Sequence, residues 1–316
     1  MDISISIVNF NTREQLRRCI SSIKENTQGF EYEIIVVDNN SSDESVSMVR
    51  QEFPFVKLIA NSENIGAAKA KNQSFEYCSG KYILILDSDI EILPDAINKM
   101  FAFAEMHPEI GILGPKVLFP NYRQQHSCNK SAPGIFSCFL NKIFYFSGLR
   151  YRFYRTRPGS LYLKMRYARS RECLWLGGMC LLARREVIHR LKGFDENFFI
   201  YYDDTDFCFC AKKSGWNVFY LADAAVIHHM GKGARQVGNL LYSKIAASEL
   251  HFFKKHYGKS KANKCAYFTQ VAMVMRIVCL FPFYLLGLKR KYFKTRLKAY
   301  RELFRQAGDF IREKTN

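Results

Sequence analysis

The stretch from 81 to 91, KYILILDSDIE, holds the first residues in this sequence that could do chemistry. Tyr82 to Asp87 is apolar almost throughout and lacks helical spacing, the pattern of a central strand buried on both faces of a parallel sheet. Asp87, Ser88 and Asp89 then stand at the strand's carboxyl end, where open α/β sheets bind ligands. Two carboxylates so close need protons or a cation, and a divalent cation there would hold a phosphate-bearing ligand. Asp-x-Asp also occurs in ordinary turns, where its side chains cap nearby amides, so the surrounding elements must decide. A second acidic group, Asp203, Asp204 and Asp206, follows the aromatic run 198–202. Beside such a wall a carboxylate gains proton affinity and can serve as a general base, whereas acids at a helix start are also what the helix dipole favours. Capping is a sufficient account of Asp206 but not of Asp204. His228 and His229 end a short apolar strand, either as ligands or as a mutually satisfied pair.

Strand and helix must alternate to bring these groups together. A strand at 3–10 leads to Thr12 as cap and a helix at 14–23 with Leu16, Cys19, Ile20 and Ile23 facing inward. A strand at 33–37, the polar turn 38–43, a helix at 44–52, a strand at 56–60, the loop 61–66 and a helix at about 67–77 follow. Such spacing specifies right-handed crossovers and an α/β fold with a mostly parallel, doubly wound sheet carrying helices on both faces. Its loops converge, bringing Asn9, Asp38, Asn64, Asp87 and Asp89 to one crevice, more polar strand ends on one edge than capping alone requires.

With 48% hydrophobic residues, 8 Pro and 18 Gly in 316 residues, the chain is globular and has room for a large α/β domain plus an appendage. Its 47 Lys+Arg against 29 Asp+Glu, a net +18, imply anionic partners: phosphates, nucleic acid or an acidic membrane. Asp2 leads straight into an alternating strand without a secretory pattern, so a cytoplasmic start is expected. Ten cysteines without CxxC pairs, including Cys180 and Cys279 in apolar settings, fit free buried thiols better than disulfides. Residues 142–171 carry nine Lys/Arg, eight Phe/Tyr and no acid, an insertion suited to a membrane interface or a lipid diphosphate better than to nucleic acid. Residues 265–288 are mostly apolar but interrupted by Gln270, Arg276 and Pro282, and 289–316 carry ten Lys/Arg against three acids. Arg276 and Pro282 favour a helix lying in the interface with its basic tail on anionic head groups over a spanning helix or a buried core helix.

Seven segments in order, SIVNFN, VVDNNSSD, NIGAAKAKN, ILILDSDIEI, WLGGMCLLARREV, GFDENFFIYYDDTDFCFCAKKSG and AVIHHMGKG, resemble the family 2 glycosyltransferases of the GT-A fold, in their rhamnosyltransferase-like branch, over about residues 3–235. The resemblance implies that Asp38 binds the base and that Asn64 and Asp87 lie near the nucleoside, with Asn9, Asn11 and Ser88 in the donor site. It implies Asp89 and His228 as ligands of Mg2+ or Mn2+, Asp204 as catalytic base, and Gly177, Gly178 and Asp203 on the acceptor side. Members commonly have Glu-Asp at Asp203-Asp204, Gly at Tyr202 and Ser at Gly233-Ala234, so acceptor fit is where this chain departs. The expected domains are a catalytic domain at 1–258, with a nucleotide-sugar half (1–115) and an acceptor half (116–258), and a basic, apolar helical extension at 259–316, membrane-proximal. The expected activity is inverting transfer from a nucleoside-diphosphate sugar, dTDP-rhamnose first and a UDP-hexose next, to a polysaccharide or lipid-linked glycan precursor. The expected location is cytoplasmic, peripherally associated with the anionic inner face of the plasma membrane, without nucleic acid as partner. Two other classes remain open: a nucleotidyltransferase, and a basic nucleic-acid-binding or scaffold protein.

Overall fold

Ile3, Ile5 and Ile7 alternate with Ser4 and Ser6 in the first strand, β1 (Ile3–Asn9), and all five are fully buried. The alternation therefore marks no solvated face. Ser4 donates to Glu33 at 2.6 Å and Ser6 meets the Ser74 hydroxyl at 2.5 Å, so each buried hydroxyl has a partner. The computed structural model describes residues 1–144, 153–154, 156–229, 240–287 and 290–312. Part of the basic insertion (145–152 and 155), the Gly233-Ala234 departure and the ends of the basic tail (289 and 313–316) lie outside the described residues.

After β1 come α1 (Arg13–Asn26), β2 (Tyr32–Asp38), α2 (Ser45–Glu52), β3 (Lys57–Ala60), α3 (Ala67–Phe75), β4 (Tyr82–Asp87), β5 (Ile90–Ile92), α4 (Ala96–Met106), β6 (Ile110–Leu118) and β7 (Cys128–Asn129). The helices α5 (Ile135–Phe144) and α6 (Arg157–Arg166) precede β8 (Arg171–Cys173), β9 (Trp175–Leu176), β10 (Cys180–Arg184), α7 (Arg185–Leu191), α8 (Asp203–Lys213) and β11 (Asn217–His228). Three helices follow: α9 (Leu240–Tyr257), α10 (Lys259–Leu285) and α11 (Arg290–Arg312). The main sheet has nine strands in the order β3-β2-β1-β4-β10-β6-β11-β5, with β8 also on β11. β10 enters antiparallel between β4 and β6, while β1 to β4 and the β6–β11 pair share one direction, so six of the nine strands are parallel. Asn9 lies opposite Asp38 and Val8 opposite Asp87, which leaves the ends of β1, β2 and β4 flush at one edge. Fully buried Ile and Leu side chains from these strands, with Leu16, Ile20 and Ile23 of α1, fill the core beneath that edge.

The chain folds as two compact units, Met1–Ala132 with Pro158–Gln236, and Pro133–Arg157 with Val237–Asn316. The first holds the sheet. In the second, Ala246, Ala272, Met273, Tyr300 and Leu303 form a core against Phe139, Ile143, Ile277 and Leu280. Lys142, at the start of the basic insertion, is buried there in an ion pair with Glu249, whose carboxylate also accepts the Cys265 thiol at 3.5 Å. Arg276 is turned into this core, where it donates to the Lys142 carbonyl at 2.9 Å and stacks on Tyr300 at 5.2 Å. Its charge, read in the sequence as a reason against a spanning helix, is therefore paired inside this core. The helix runs unbroken through Pro282 and is two-faced: Ala262, Cys265, Ala266, Thr269, Ala272 and Met273 point inward, while Tyr267, Val274, Val278, Phe281 and Leu285 are exposed. By length and composition it can cross a membrane. All ten cysteines are free thiols, eight of them buried, but Cys279 is exposed.

Candidate active site

The flush ends of β1 and β2 form the first part of the site. Asp38 is buried, with one carboxylate oxygen accepting Asn9 Nδ2 at 2.7 Å and the other the Ser41 amide at 2.8 Å. Asn11 joins the same turn: its amide donates to Ser41 Oγ at 2.8 Å and its side-chain oxygen accepts the Ser42 amide at 2.7 Å. Thr12 makes no side-chain cap on α1; its hydroxyl donates to Asn9 at 2.6 Å and meets Ser88 Oγ at 2.6 Å, tying β1 to the Asp-Ser-Asp turn. Asp43 takes over the cap by accepting the Arg13 amide at 2.8 Å. Asn64 orders the next loop, accepting the Gly66 amide at 3.0 Å and Asn39 Nδ2 at 3.1 Å.

Asp87, Asp89 and His228 form the second part, with ligand-type atoms all within 4.8 Å of one another. β5 pairs antiparallel with β11, setting His228 opposite Ile90, and the His229 amide donates to the Asp89 carbonyl at 3.0 Å, so the histidine returns to the acids across the sheet. His228 Nε2 lies 3.3 Å from Asp89 Oδ1. Its Nδ1 is 3.1 Å from Gln125 Oε1, while Gln125 Nε2 donates to the Leu118 and His228 carbonyls at 3.0 and 2.9 Å. That leaves Oε1 to accept Nδ1–H, the outer hydrogen bond that fixes a ligating histidine with Nε2 toward the ligand. Burial opposes charge on His228, but the Asp89 hydrogen bond and nearby carboxylates raise its pKa. Burial pushes the Asp87 carboxyl up to about 6, against the pull of Lys71 and with the repulsion of Asp89. Two carboxylates crowded beside one imidazole, in an oxygen-rich set, fit a hard divalent cation of the Mg2+ or Mn2+ kind.

The third part is the first turn of α8. Asp204 accepts the Gly178 amide at 2.7 Å on one oxygen and the Thr205 amide at 2.6 Å on the other. Gly178 must lack a side chain, because a Cβ there would come within 2.9 Å of Asp204 Cβ. Gly177 belongs to the adjoining ribbon, donating to the Ser127 carbonyl at 2.7 Å, and the Asp87 amide donates to the Met179 carbonyl at 3.1 Å. Burial, then the Asp203 carboxylate, push the Asp204 carboxyl up to about 6, while Lys71 and the two amides work the other way. Asp203 is committed to Lys71, Oδ2 to Nζ 2.7 Å, with both residues buried. Tyr202 precedes them at φ +66°, ψ −13°, and Tyr201 at φ +61°. This left-handed region suits glycine and costs a residue with a Cβ roughly 1–2 kcal/mol, a physical reason for a glycine at the Tyr202 position.

Two contributors were not singled out from the sequence, Lys71 and Gln125. Lys71 shares the buried face of α3 with Ala68 and Ser74, and a lysine at helical spacing from small buried residues is a signal that could have been read. Gln125 lies in a polar run after β6 with no pattern to mark it.

A mostly parallel sheet of this order, with acids at its carboxyl edge and a base candidate on a following helix, defines a GT-A glycosyltransferase fold. The chain belongs to glycosyl transferase family 2, whose family model matches residues 4–175. It is 25% identical over 245 residues, 72% of this chain and 76% of the other, to an N-acetylglucosaminyl-diphospho-decaprenol L-rhamnosyltransferase of Mycobacterium tuberculosis, which agrees with the branch read from the sequence. Among solved structures, S. aureus TarS 1-349 superposes with a TM-score of 0.51 at 15% identity, covering 98% of this chain and 92% of that one. GalNAc-T7 with UDP, GalNAc and Mn2+ gives a TM-score of 0.56 at 14% identity, over 81% of this chain and 50% of that one.

Proposed function

We propose that this chain is an inverting glycosyltransferase that moves a sugar from a nucleoside diphosphate to a lipid-linked glycan or polysaccharide precursor, with dTDP-rhamnose as the leading donor and a UDP-hexose next. The observation that carries the reading is the pairing, at one sheet edge, of the Asp87, Asp89 and His228 cluster with a separate carboxylate, Asp204, held by backbone amides. The similarity to a rhamnosyltransferase supports the sugar, and the Mn2+ in the GalNAc-T7 structure supports the cation.

In this reading Asp38, Asn9 and Asn11 shape the nucleoside end of the donor, with Asn64 and Ser88 ordering the loops around it. Asp89 and His228, with Asp87 beside them, would hold Mg2+ or Mn2+, which would neutralise charge on the departing diphosphate. Asp204 takes the proton from the acceptor hydroxyl as the new bond to the anomeric carbon forms on the face opposite the leaving group. The Gly178 and Thr205 amides fix both of its oxygens, so its remaining lone pairs are aimed before the acceptor arrives. A panel of nucleotide sugars with Mn2+ tests the donor: dTDP-rhamnose should raise the melting temperature most and release dTDP, and stabilisation by a UDP-hexose alone would move the assignment to that sugar.

The second unit supports the proposed location. The exposed stripe Tyr267, Val274, Val278, Phe281 and Leu285 on α10, with Lys294, Lys298 and Arg301 exposed on α11, has the composition of a surface that meets an anionic bilayer from the cytoplasmic side. The full chain should sediment with phosphatidylglycerol vesicles in a salt-sensitive way, and Val278→Glu with Phe281→Glu should abolish it; sedimentation unchanged in that double variant would refute this seating.

A further inference from the structure

Asp203 and Asp204 are adjacent acids on one helical turn, and a buried ammonium near both is in direct contact with Asp203. Lys71 is 4% exposed, its ammonium lies 2.7 Å from Asp203 Oδ2 and 4.9 Å over the Phe194 ring, and it reaches Asp203 across 132 residues of sequence. Burial works against its charge, but Asp203, then Asp87 and Asp204, outweigh that and hold the ammonium protonated. Among the described residues, Asp204 is faced by Asp203 on its own helix, Lys71 from α3, the amides of Gly178 and Thr205, the Thr205 hydroxyl at 3.2 Å and the neutral thiol of buried Cys208.

We infer that Lys71 is a positioning residue that divides the work between the two acids: it engages Asp203 as its counter-ion and so leaves Asp204 as the group on this turn free to exchange a proton with the acceptor. The inference rests on the base role proposed for Asp204. Without the ammonium, two neighbouring carboxylates repel and share a proton between them, and neither is a defined base. With it, one acid is neutralised by geometry and the other is held by two amides and the Thr205 hydroxyl, which donates to Asp204 Oδ1 at 3.2 Å. The same cation also lies in the field of Asp87, so the donor-side and acceptor-side acids are balanced against one charge.

The test is the titration midpoint of Asp204 in the full chain, followed by carboxyl 13C NMR with 13C-labelled aspartate and assigned through Asp204→Asn. Lys71→Met should move the midpoint up by about one pH unit or more, because Asp203 is left unneutralised beside it. Asp203→Asn should move it down, because the ammonium then faces Asp204 alone. The double variant, with charge and counter-charge both gone, should return toward the wild-type midpoint, and Lys71→Arg should hold it there. Midpoints that stay at the wild-type value in both single variants would reduce Lys71 to packing and overturn the inference. If Lys71→Met does not fold, Asp203→Asn decides alone, and an unmoved or raised midpoint refutes it. Failure of the base reading is a separate result, an Asp204→Asn variant that still transfers sugar, and it is read from turnover and not from titration.

Discussion

Two pairs of carboxylates stand in the sheet-bearing unit, Asp87 with Asp89 and Asp203 with Asp204, and they are compensated differently. At the α8 pair the fold supplies a full positive charge, the Lys71 ammonium, and backbone amides hold the acid that remains. At the β4 pair Asp89 meets an imidazole whose far nitrogen is fixed by Gln125, while Asp87 feels the same ammonium without an ion pair to it among the described residues. An ammonium inside the fold closes its site to metal. Two acids and an imidazole form a site that a divalent cation completes. In the proposed reading, similar residue types in one fold are thereby set to two tasks, one acid for a proton and one pair for a cation.

The largest expected effect comes from breaking the proton side. Asp204→Asn keeps shape and amide contacts on one oxygen but removes basicity, and turnover should fall by about 100-fold or more while donor binding persists. Near wild-type transfer by this variant, with Asp203→Asn or Asp206→Asn dead, would move the base elsewhere on the turn. Next, the wild-type rate should carry an acid limb. Because the Asp204 carboxyl is pushed up to about 6, it is protonated and inactive as a base below that pH, so kcat/KM should fall about tenfold per pH unit there and level off above. A profile flat from about pH 5 to about pH 8, roughly one unit below that value to two above, would contradict it.

Gly178→Ala sharpens the comparison by moving Asp204 without changing its chemistry. The new Cβ would sit 2.9 Å from Asp204 Cβ, and the resulting displacement should lower kcat on the order of 10-fold while leaving Mn2+ binding alone. Unchanged kcat would mean that the turn yields and that the amide is not what aims the base. The smallest effect is at Tyr202. At φ +66° the left-handed backbone tolerates glycine and penalises a β-branched residue, so Tyr202→Gly should melt above Tyr202→Val by about 2–4 °C. The reverse order would show that ring contacts, not backbone conformation, decide stability there.

Much of this was legible in the sequence because it depends on local pattern. The apolar run ending at Asp87 dictated a central strand, and the polar ends of successive strands placed Asn9, Asp38 and Asp87 at one edge, as the register has it. The return of β11 to β5, which brings His228 to Asp89, depends on pairing across the sheet, and no local spacing encodes it; the family resemblance supplied it instead. Lys71 and Gln125 act across 132 and 103 residues, and their partners are set by packing. Thr12 looked like a helix cap because its position is one, but its hydroxyl is spent on Asn9 and Ser88 while Asp43, brought from the next turn, caps the helix. Arg276 looked like a charge opposed to lipid because a linear sequence does not give the side of the helix it occupies.

The division between the two acid pairs is tested most directly by titrating Mn2+ into the full chain in the presence of dTDP and comparing Asp89→Asn with Asp204→Asn. The account predicts that Asp89→Asn weakens Mn2+ binding by about 10–100-fold or more, the range already seen for losing an outer partner of a metal ligand, while Asp204→Asn binds as the wild type does. Equal weakening in the two variants, or Mn2+ binding unaffected by Asp89→Asn, would contradict it.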